Sequence, residues 1–322
     1  MVNYLLRNTR RYGIFKTLFL MISYIPNKKI EKKKIKTINE HGRVNFGKSE
    51  NYQLNSKKRT DKIIVSMTTI PGRMKFLKYP LDAIFQQTLP PDEVHLYLDV
   101  ARKEKYPISD LDVFIRSGLK IFYVEDLRPH TKYFYAIKEN SDALVVTIDD
   151  DIWYERNLIE VLYNSYKKFP NAVSAMRAHR ITATRGKIDL YDDWEFESHY
   201  SNKPEADLFA TGVGGVLYPP HTMNIKLFDK TMLKELSFYN DDLWLKVMQD
   251  LNGTKVVVPS AKKHLVIDVE GSQEISLNSV NVHDSRNDIY IKQLINAFPK
   301  AVLFPFKKDY WLPPNKKWTR SN

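Results

Sequence analysis

Short apolar runs alternate with amphipathic stretches between residues 62 and 298. Runs rich in β-branched residues predict buried strands at residues 62–67, 93–99, 119–124, 144–148, 172–176 and 255–259. Apolar residues at helical spacing predict helices at residues 77–85, 132–139, 158–169, 227–236, 240–252 and 288–298. Alternating strands and helices are typical of βαβ units with parallel strands. We therefore expect an α/β fold with a Rossmann-like, mostly parallel central sheet flanked by helices.

The two ends of the chain follow a different pattern. Residues 1–25 predict an amphipathic segment on a membrane surface, because their apolar run, Ile14 to Ile25, is too short to span a bilayer. A helix packed on the protein's own core is the alternative. Residues 26–61 predict a basic linker, residues 62–299 the catalytic domain, and residues 300–322 a basic aromatic tail. The charged stretch 184–207 predicts an excursion over the surface.

The net charge of +12 is concentrated at these ends. Residues 1–62 carry +12 and residues 300–322 carry +5, which leaves −5 for the middle of the chain. A nucleic-acid enzyme would place its positive charge along a groove in the folded domain, so we expect no nucleic-acid partner. Anionic lipid is the more natural partner, which predicts a cytoplasmic protein held peripherally on the inner face of the cell membrane. The absence of cysteine fits a reducing compartment.

Three aspartates, Asp149, Asp150 and Asp151, follow the predicted strand at 144–148. Adjacent carboxylates repel one another and are costly to bury unpaired. At the carboxyl end of a central strand, where open α/β sheets bind ligands, Mg²⁺ or Mn²⁺ would relieve that repulsion and bind a phosphate-bearing ligand. A solvated acidic turn that opens the next helix is the alternative.

Several motifs occur in one order along the chain: IIVSMTTIPGR, an aspartate closing the second strand, VVTIDDD, TGVGG and NDDLWL. This order, over about residues 62–285, resembles nucleotide-sugar glycosyltransferases of the A-type fold, near the family 2 enzymes of bacterial surface polysaccharide synthesis. The resemblance implies that Asp149 and Asp151 hold Mn²⁺ or Mg²⁺ against the donor's two phosphates, with Asp151 as the direct ligand. The intervening Asp150 leaves the register of this pair open.

The resemblance also implies roles for residues around this centre. Positions matching the nucleoside or diphosphate site are Thr68, Thr69, Arg73, Asp99 and Lys132, although turn chemistry or a surface charge would explain each one. By the resemblance, Asp242, with Asp241 beside it, matches the general base that accepts the proton of the acceptor hydroxyl. Two adjacent carboxylates can raise one pKa toward a value that suits this role. Capping of a helix N-terminus is the alternative for this pair.

The remaining candidates concern the sugar and the metal. Gly212, Gly214 and Gly215 would let the backbone approach a sugar, or would form a bulge. Trp194, in a polar stretch, is a candidate for stacking on a sugar face. His283 is a candidate third metal ligand, with a structural histidine as the alternative.

The function predicted from these residues is metal-dependent transfer of a sugar from a nucleoside-diphosphate sugar donor to a glycan or lipid-linked acceptor in surface polysaccharide synthesis. If Asp242 is the base, attack is direct and the anomeric centre inverts. Two alternatives are a two-metal phosphoryl-transfer enzyme or nuclease, and a non-catalytic, membrane-associated carbohydrate-binding protein.

Overall fold

A computed structural model of the chain describes residues 33, 36, 37, 40, 52–184, 187–198, 201, 203–259, 266–272, 286–299 and 301. The chain divides into two compact units, Met1–Ser49 and Glu50–Asn322. The described residues of the first unit are helical, and the Thr37 hydroxyl donates to the carbonyl of Lys33 at 3.0 Å. The predicted membrane segment 1–25, the tail beyond residue 301 and His283 lie outside the described residues.

Described residues that precede residue 62 make contacts within the second unit. Residues 52–60, assigned to the linker, lie against the folded unit. The amide of Asn55 donates to the carbonyl of Pro91 at 2.8 Å, and the Tyr52 hydroxyl donates to Asp82 at 2.5 Å. This division therefore places the start of the folded unit at Glu50.

The strands of the second unit are short and are mostly buried. They are β1 (Ile63–Thr68), β2 (Glu93–Asp99), β3 (Leu119–Val124), β4 (Leu144–Thr147), β5 (Ile152–Trp153), β6 (Ala172–Ala175), β7 (Ala178–Arg180), β8 (Ala183–Thr184), β9 (Lys187–Ile188), β10 (Glu195–Ser198), β11 (Leu208–Ala210), β12 (Val216–Tyr218), β13 (Lys255–Val257) and β14 (Ile267–Asp268).

Seven strands form the central sheet in the order β13-β6-β12-β4-β1-β2-β3. Neighbours are parallel except at β12, which is antiparallel to both β4 and β6. The expected mostly parallel sheet is confirmed, and the predicted strands match within two residues. The antiparallel strand β12 was not predicted, because a three-residue strand after a glycine-rich turn has no period of its own.

Helices flank the sheet, as expected. They are α1 (Met74–Phe85), α2 (Asp112–Arg116), α3 (Thr131–Glu139), α4 (Leu158–Lys168), α5 (Lys230–Ser237), α6 (Asp241–Leu251) and α7 (Arg286–Ala297). Each longer helix turns an apolar stripe to the core; in α4 the buried residues include Leu158, Ile159 and Leu162. Among the residues described, no helix combines the length and apolar character that crossing a bilayer requires.

The stretch predicted as a surface excursion instead contributes to the core. Strands β10, β7 and β11 form a separate three-stranded antiparallel sheet. Trp194, which precedes β10, packs edge-on against Phe209 of β11 with ring centroids 5.3 Å apart. This small sheet brings residues 177–179 and 211 to the carboxyl end of the central sheet, beside the aspartates that follow β4.

Candidate functional site

A cavity of about 570 Å³ opens at the carboxyl ends of β1, β2 and β4. This is where ligands of open α/β sheets bind, because the parallel strands end there together. Its walls carry an unusual density of charge, with acidic and basic side chains interleaved. The polar lining includes Thr68, Thr69, Arg73, Asp99, Arg102, Asp126, Arg128, Lys132, Asp149, Asp150, Asp151, Arg177, His179, Tyr191, Thr211, Tyr239, Asp241, Asp242 and Asp268.

Of the aspartates after β4, Asp150 and Asp151 are buried and Asp149 is partly exposed, and all three pair with cationic or hydroxyl groups. Arg73, in the turn before α1, places one guanidinium nitrogen 2.9 Å from Asp150 and forms a second ion pair with Asp151. The Thr69 hydroxyl donates to Asp150. Asp150 is therefore held by both Arg73 and Thr69. Asp151 pairs with Arg73, and Asp149 pairs with Lys132.

The Asp151 carboxyl holds its proton unusually tightly. Burial raises its pKa to about 7, with the neighbouring carboxylates Asp150 and Asp149 adding to the increase and Arg73 opposing it. Burial also raises the pKa of Asp150. A cation or cationic ligand group entering the cavity would therefore displace a proton from Asp151 and gain a carboxylate ligand.

Lys132 connects the first acidic cluster to the second. Its ammonium lies 2.7 Å from Asp149 and 3.0 Å from Asp241, and its side chain is only 8% exposed. Burial opposes its charge, but the surrounding carboxylates outweigh burial and hold its pKa well above the usual value. Lys132 is therefore a fixed internal cation between the aspartates after β4 and those that open α6.

The two aspartates that open α6, Asp241 and Asp242, have different pKa values because their surroundings differ. Asn240 caps the helix by accepting from the amide of Leu243 at 2.9 Å, which frees Asp241 and Asp242 from the capping role. Burial and the adjacent Asp241 raise the pKa of Asp242 to about 8. For Asp241, burial is outweighed by the Lys132 ammonium, so its pKa is lowered. One carboxylate of the pair stays ionised while the other is ready to exchange a proton near neutrality.

The turn Gly212–Gly214 faces these carboxylates. The Gly212 amide donates to Asp242 at 3.0 Å. A Cβ on Gly212 would lie 2.9 Å from the Lys132 ammonium and 3.3 Å from Asp242, so a side chain there would displace that ammonium. Gly214 approaches Arg177 as closely, and Gly215 adopts a φ of 91°, which favours glycine. Gly212 thus allows close packing around Asp242, while Gly214 packs against Arg177 and Gly215 against Leu158.

The predicted nucleoside positions lie on the other strands of the sheet. Asp99 caps the turn after β2 by accepting from the amide of Ala101 at 2.9 Å and pairs with Arg102 at 2.6 Å. The Thr68 hydroxyl donates to the carbonyl of Tyr97 at 2.8 Å and so joins β1 to β2. Both residues line the cavity.

The structure places Trp194, the candidate for sugar stacking, in the core. Its ring is 1% exposed and its indole N–H donates to the carbonyl of Asp189 at 3.1 Å. The polar composition of residues 184–207 concealed an aromatic cluster with Tyr191 and Phe209, so Trp194 presents no face to a sugar.

Sequence reasoning missed several cavity residues, among them Arg102, Arg177, His179, Tyr191 and Asp268. They follow short strands or turns in stretches without a motif, and only the packing of the small sheet brings residues 177, 179 and 191 to the cavity. Arg102 was detectable in principle, because it lies three residues after Asp99 in the turn that closes β2.

The carboxylates of the cavity offer oxygen ligands of the kind that Mg²⁺ and Mn²⁺ take. Within the described ranges, however, no three acidic or histidine side chains lie close enough to hold a metal ion. Asp149 and Asp151 therefore fit such an ion only if ligand phosphates complete its coordination, which is the usual arrangement for Mg²⁺.

No protein-family model matches the chain, and no curated protein matches it. Its fold is similar to the mannosyltransferase PcManGT from Pyrobaculum calidifontis, solved with GDP-Man and Mn²⁺, at 12% identity and a TM-score of 0.47, over 90% of this chain and 77% of that one. It is also similar to S. aureus TarS 1-349 with UDP, at 13% identity and a TM-score of 0.42, over 76% and 83% of the two chains. A third likeness is to CMP:2-keto-3-deoxy-manno-octonic acid synthetase with CTP, at 12% identity and a TM-score of 0.40, over 70% and 100%. Scores below 0.5 leave the function to be argued from the cavity.

Proposed function

We propose that the chain is a metal-dependent glycosyltransferase of the A-type fold, which transfers a sugar from a nucleoside-diphosphate donor. One observation carries the proposal: Lys132 lies between Asp149 and Asp241, at 2.7 and 3.0 Å. The acidic group after the fourth strand and the acidic pair that opens α6 therefore face one cavity. Inverting sugar transfer requires a diphosphate site and a proton acceptor on opposite sides of the anomeric carbon, and two facing acidic groups can supply them.

The donor side is formed by the carboxyl ends of β1, β2 and β4. Thr68, Thr69, Asp99 and Arg73 line the cavity there, and we assign the first three to the nucleoside and Arg73 to the diphosphate. A bound Mn²⁺ or Mg²⁺, held by Asp151 and Asp149, would supply Lewis-acid stabilisation of the departing diphosphate. Arg73, paired with Asp150 and Asp151, holds these carboxylates on the cavity wall.

The acceptor side is formed around Asp242. Its raised pKa, about 8, suits a group that takes a proton from a sugar hydroxyl near neutral pH. Asp241, kept ionised by Lys132, opposes the second negative charge and so makes Asp242 the more basic carboxylate. Direct attack by the hydroxyl that Asp242 deprotonates inverts the anomeric centre.

We assign the acceptor to a glycan or a lipid-linked sugar, in surface polysaccharide synthesis of the family 2 type. The support is the charge distribution, with +12 on residues 1–62 and +5 on residues 300–322, which suits an anionic membrane surface. Flotation of the chain with anionic liposomes, with and without residues 1–25, tests the peripheral contact. Equal recovery of both proteins contradicts it.

The central experiment is a screen of nucleotide sugars for thermal stabilisation with and without Mn²⁺, followed by a transfer assay on the donor that binds. We expect Mn²⁺-dependent binding, loss of transfer with a chelator, and folded but inactive Asp151→Asn and Asp242→Asn variants. Asp142→Asn is the matched control, because that side chain is 90% exposed and lies outside the cavity. Transfer that survives chelation refutes the metal, and near-normal turnover in either variant refutes that residue's role.

The same experiment separates the alternatives. A two-metal phosphoryl-transfer enzyme needs more acidic ligands than the described part of the chain brings together. Cleavage of DNA or RNA would nevertheless replace the proposal. Hydrolysis of the donor, even at a low rate, excludes a purely carbohydrate-binding protein.

A further inference from the structure

The cationic side chains of the cavity differ in how well they are neutralised. Four of the five among the described residues have a carboxylate oxygen within 3.1 Å; these are Arg73, Arg102, Arg128 and Lys132. The fifth is Arg177, in the turn after β6. Its nearest carboxylate is Glu197, at 3.5 Å, with a side chain that is 44% exposed. Asp268 on the same wall interacts with the charge of Arg177, but among these five cations Arg177 has the most distant carboxylate partner.

The hydrogen bonds of Arg177 leave most of its donors unused. A guanidinium has five N–H donors. One Nη donates to the Thr211 hydroxyl at 3.3 Å and the other to Glu197 at 3.5 Å, and both bonds are long. The Nε atom is buried and has no hydrogen-bond partner among the residues that the structure describes. Since an unmade hydrogen bond to a charged group is costly, this guanidinium is suited to a ligand that brings acceptor oxygens.

The backbone holds Arg177 beside the proposed base. The amide of Thr211 donates to the carbonyl of Arg177 at 3.1 Å, and the next amide, of Gly212, donates to Asp242 at 3.0 Å. A Cβ on Gly214 would lie 2.9 Å from the Cβ of Arg177, so the glycine allows this close packing. Arg177 is thus fixed on the acceptor side of the cavity. Its carbonyl is bonded to Thr211, the residue before Gly212, whose amide contacts Asp242.

His179 provides a second donor on the same wall. Its Nδ1 accepts from the amide of Glu197 at 3.0 Å, so in the neutral ring the proton is on Nε2. Burial and the charge of Arg177 lower the pKa of His179 to about 3, which keeps the ring neutral. Glu197 has a φ of 52°, an unusual value for a residue with a side chain, where the register shifts between Glu195 and Ser198. This irregularity directs its amide to His179 while its carboxylate reaches Arg177.

We propose that Arg177 and His179 form a subsite for a negatively charged group on the acceptor, a carboxylate or a phosphate next to the hydroxyl that is glycosylated. Glu197 occupies the place of this anion when no acceptor is bound. The inference rests on the proposed function for the identification of the bound molecule as acceptor. The anion site itself rests only on the unsaturated guanidinium.

The test uses matched pairs of neutral and anionic ligands that differ in one group. Suitable pairs are methyl galactoside and methyl galacturonate, glucose and glucose 6-phosphate, and glycerol and glycerol 3-phosphate, titrated by calorimetry into the protein saturated with nucleoside diphosphate. We expect the anionic member of at least one pair to bind about tenfold or more tightly than its neutral partner. The carboxylate and phosphate pairs show which anion is preferred. If no anionic member binds more tightly, the proposal is overturned.

Three variants locate the effect. Arg177→Gln should abolish the preference for the anion, and Glu197→Gln should increase anion affinity several-fold by removing the internal competitor. Arg102→Gln, which removes the same charge elsewhere in the cavity, should retain the preference. A preference that survives Arg177→Gln, or that Arg102→Gln reduces equally, overturns the proposal. If Arg177→Gln does not fold by thermal melting, Glu197→Gln decides, and unchanged anion affinity in that variant is the contrary result.

Failure of the proposed function is recognised separately. Binding of nucleoside diphosphate is measured first on the same samples. If none binds, the glycosyltransferase assignment is wrong, and the ligand pairs are titrated into the protein alone, where the preference and its loss in Arg177→Gln still test the anion site.

Discussion

Replacement of Asp242 by asparagine should inactivate the protein and stabilise its fold. Burial raises the pKa of the Asp242 carboxyl from 3.8 to about 8, with the adjacent Asp241 adding to the increase and Lys132 and the Gly212 amide opposing it. A carboxyl whose pKa is higher in the folded than in the unfolded chain destabilises the fold as pH rises. Asparagine keeps the size and an oxygen acceptor for Gly212 but removes the charge.

The magnitude follows from the two pKa values. At pH 7 the unfolded chain has released a proton that the folded chain still holds, a difference of at most about 4 kcal/mol, since one pKa unit corresponds to about 1.4 kcal/mol. Solvent in the cavity screens the carboxyl, and we expect about half of this, about 2 kcal/mol. For a domain of this size that is a rise in melting temperature of about 5 °C.

The stability gained by Asp242→Asn should depend on pH, because the pKa of Asp242 is raised in the folded chain. Below about pH 4 the carboxyl is protonated in both states, so Asp242→Asn should change stability little. Between pH 4 and pH 8 the unfolded chain ionises first, so the stability gained by the variant should grow, and it should level off above pH 8. Thermal melts at pH 5 and pH 8 measure this, with Asp142→Asn as control for a lost surface charge.

The transfer assay completes the prediction. A general base contributes about 10²- to 10⁴-fold, so Asp242→Asn should lose at least about 100-fold in turnover while it melts at a higher temperature. In the unmodified protein, turnover should rise with pH through about 8 as Asp242 loses its proton. A gain in stability over the unmodified protein that is no larger at pH 8 than at pH 5, or a variant that keeps its turnover, would refute the assignment of Asp242 as a buried base.

Three further predictions concern groups around this base. Lys132→Met leaves the carboxylates of Asp149 and Asp241 without their cation, and urea denaturation should show a loss of about 3 kcal/mol; an unchanged midpoint would mean that solvent, not Lys132, compensates them. Gly212→Ala should lower turnover about tenfold without unfolding the protein, because the new methyl group would displace the Lys132 ammonium, and wild-type turnover would contradict the close approach. Trp194→Ala should cost about 3–5 kcal/mol in denaturation and leave donor and acceptor affinities unchanged in the fraction that is folded, because the ring is in the core; weaker sugar binding with normal stability would restore the stacking role.

The local sequence determined the central strands of the sheet. The apolar runs at β1, β2, β3 and β4 are long and β-branched enough to specify buried strands, and their predicted bounds agree with the structure within one residue. Because parallel strands end at one edge of a sheet, the polar residues that follow them were expected to meet, and Thr69, Asp99 and Asp151 do line one cavity. Residue types along the chain were sufficient for this part.

The tertiary structure decided which groups act together and in which protonation state. Sequence places Asp149 and Asp241 far apart, and only the folded chain inserts Lys132 between them. Burial, which no local pattern measures, separates the pKa values of Asp241 and Asp242 and removes Trp194 from the candidate site. Arg177 reaches the cavity through short strands that carry no periodic signal, because strand pairing across the chain, rather than local propensity, defines them.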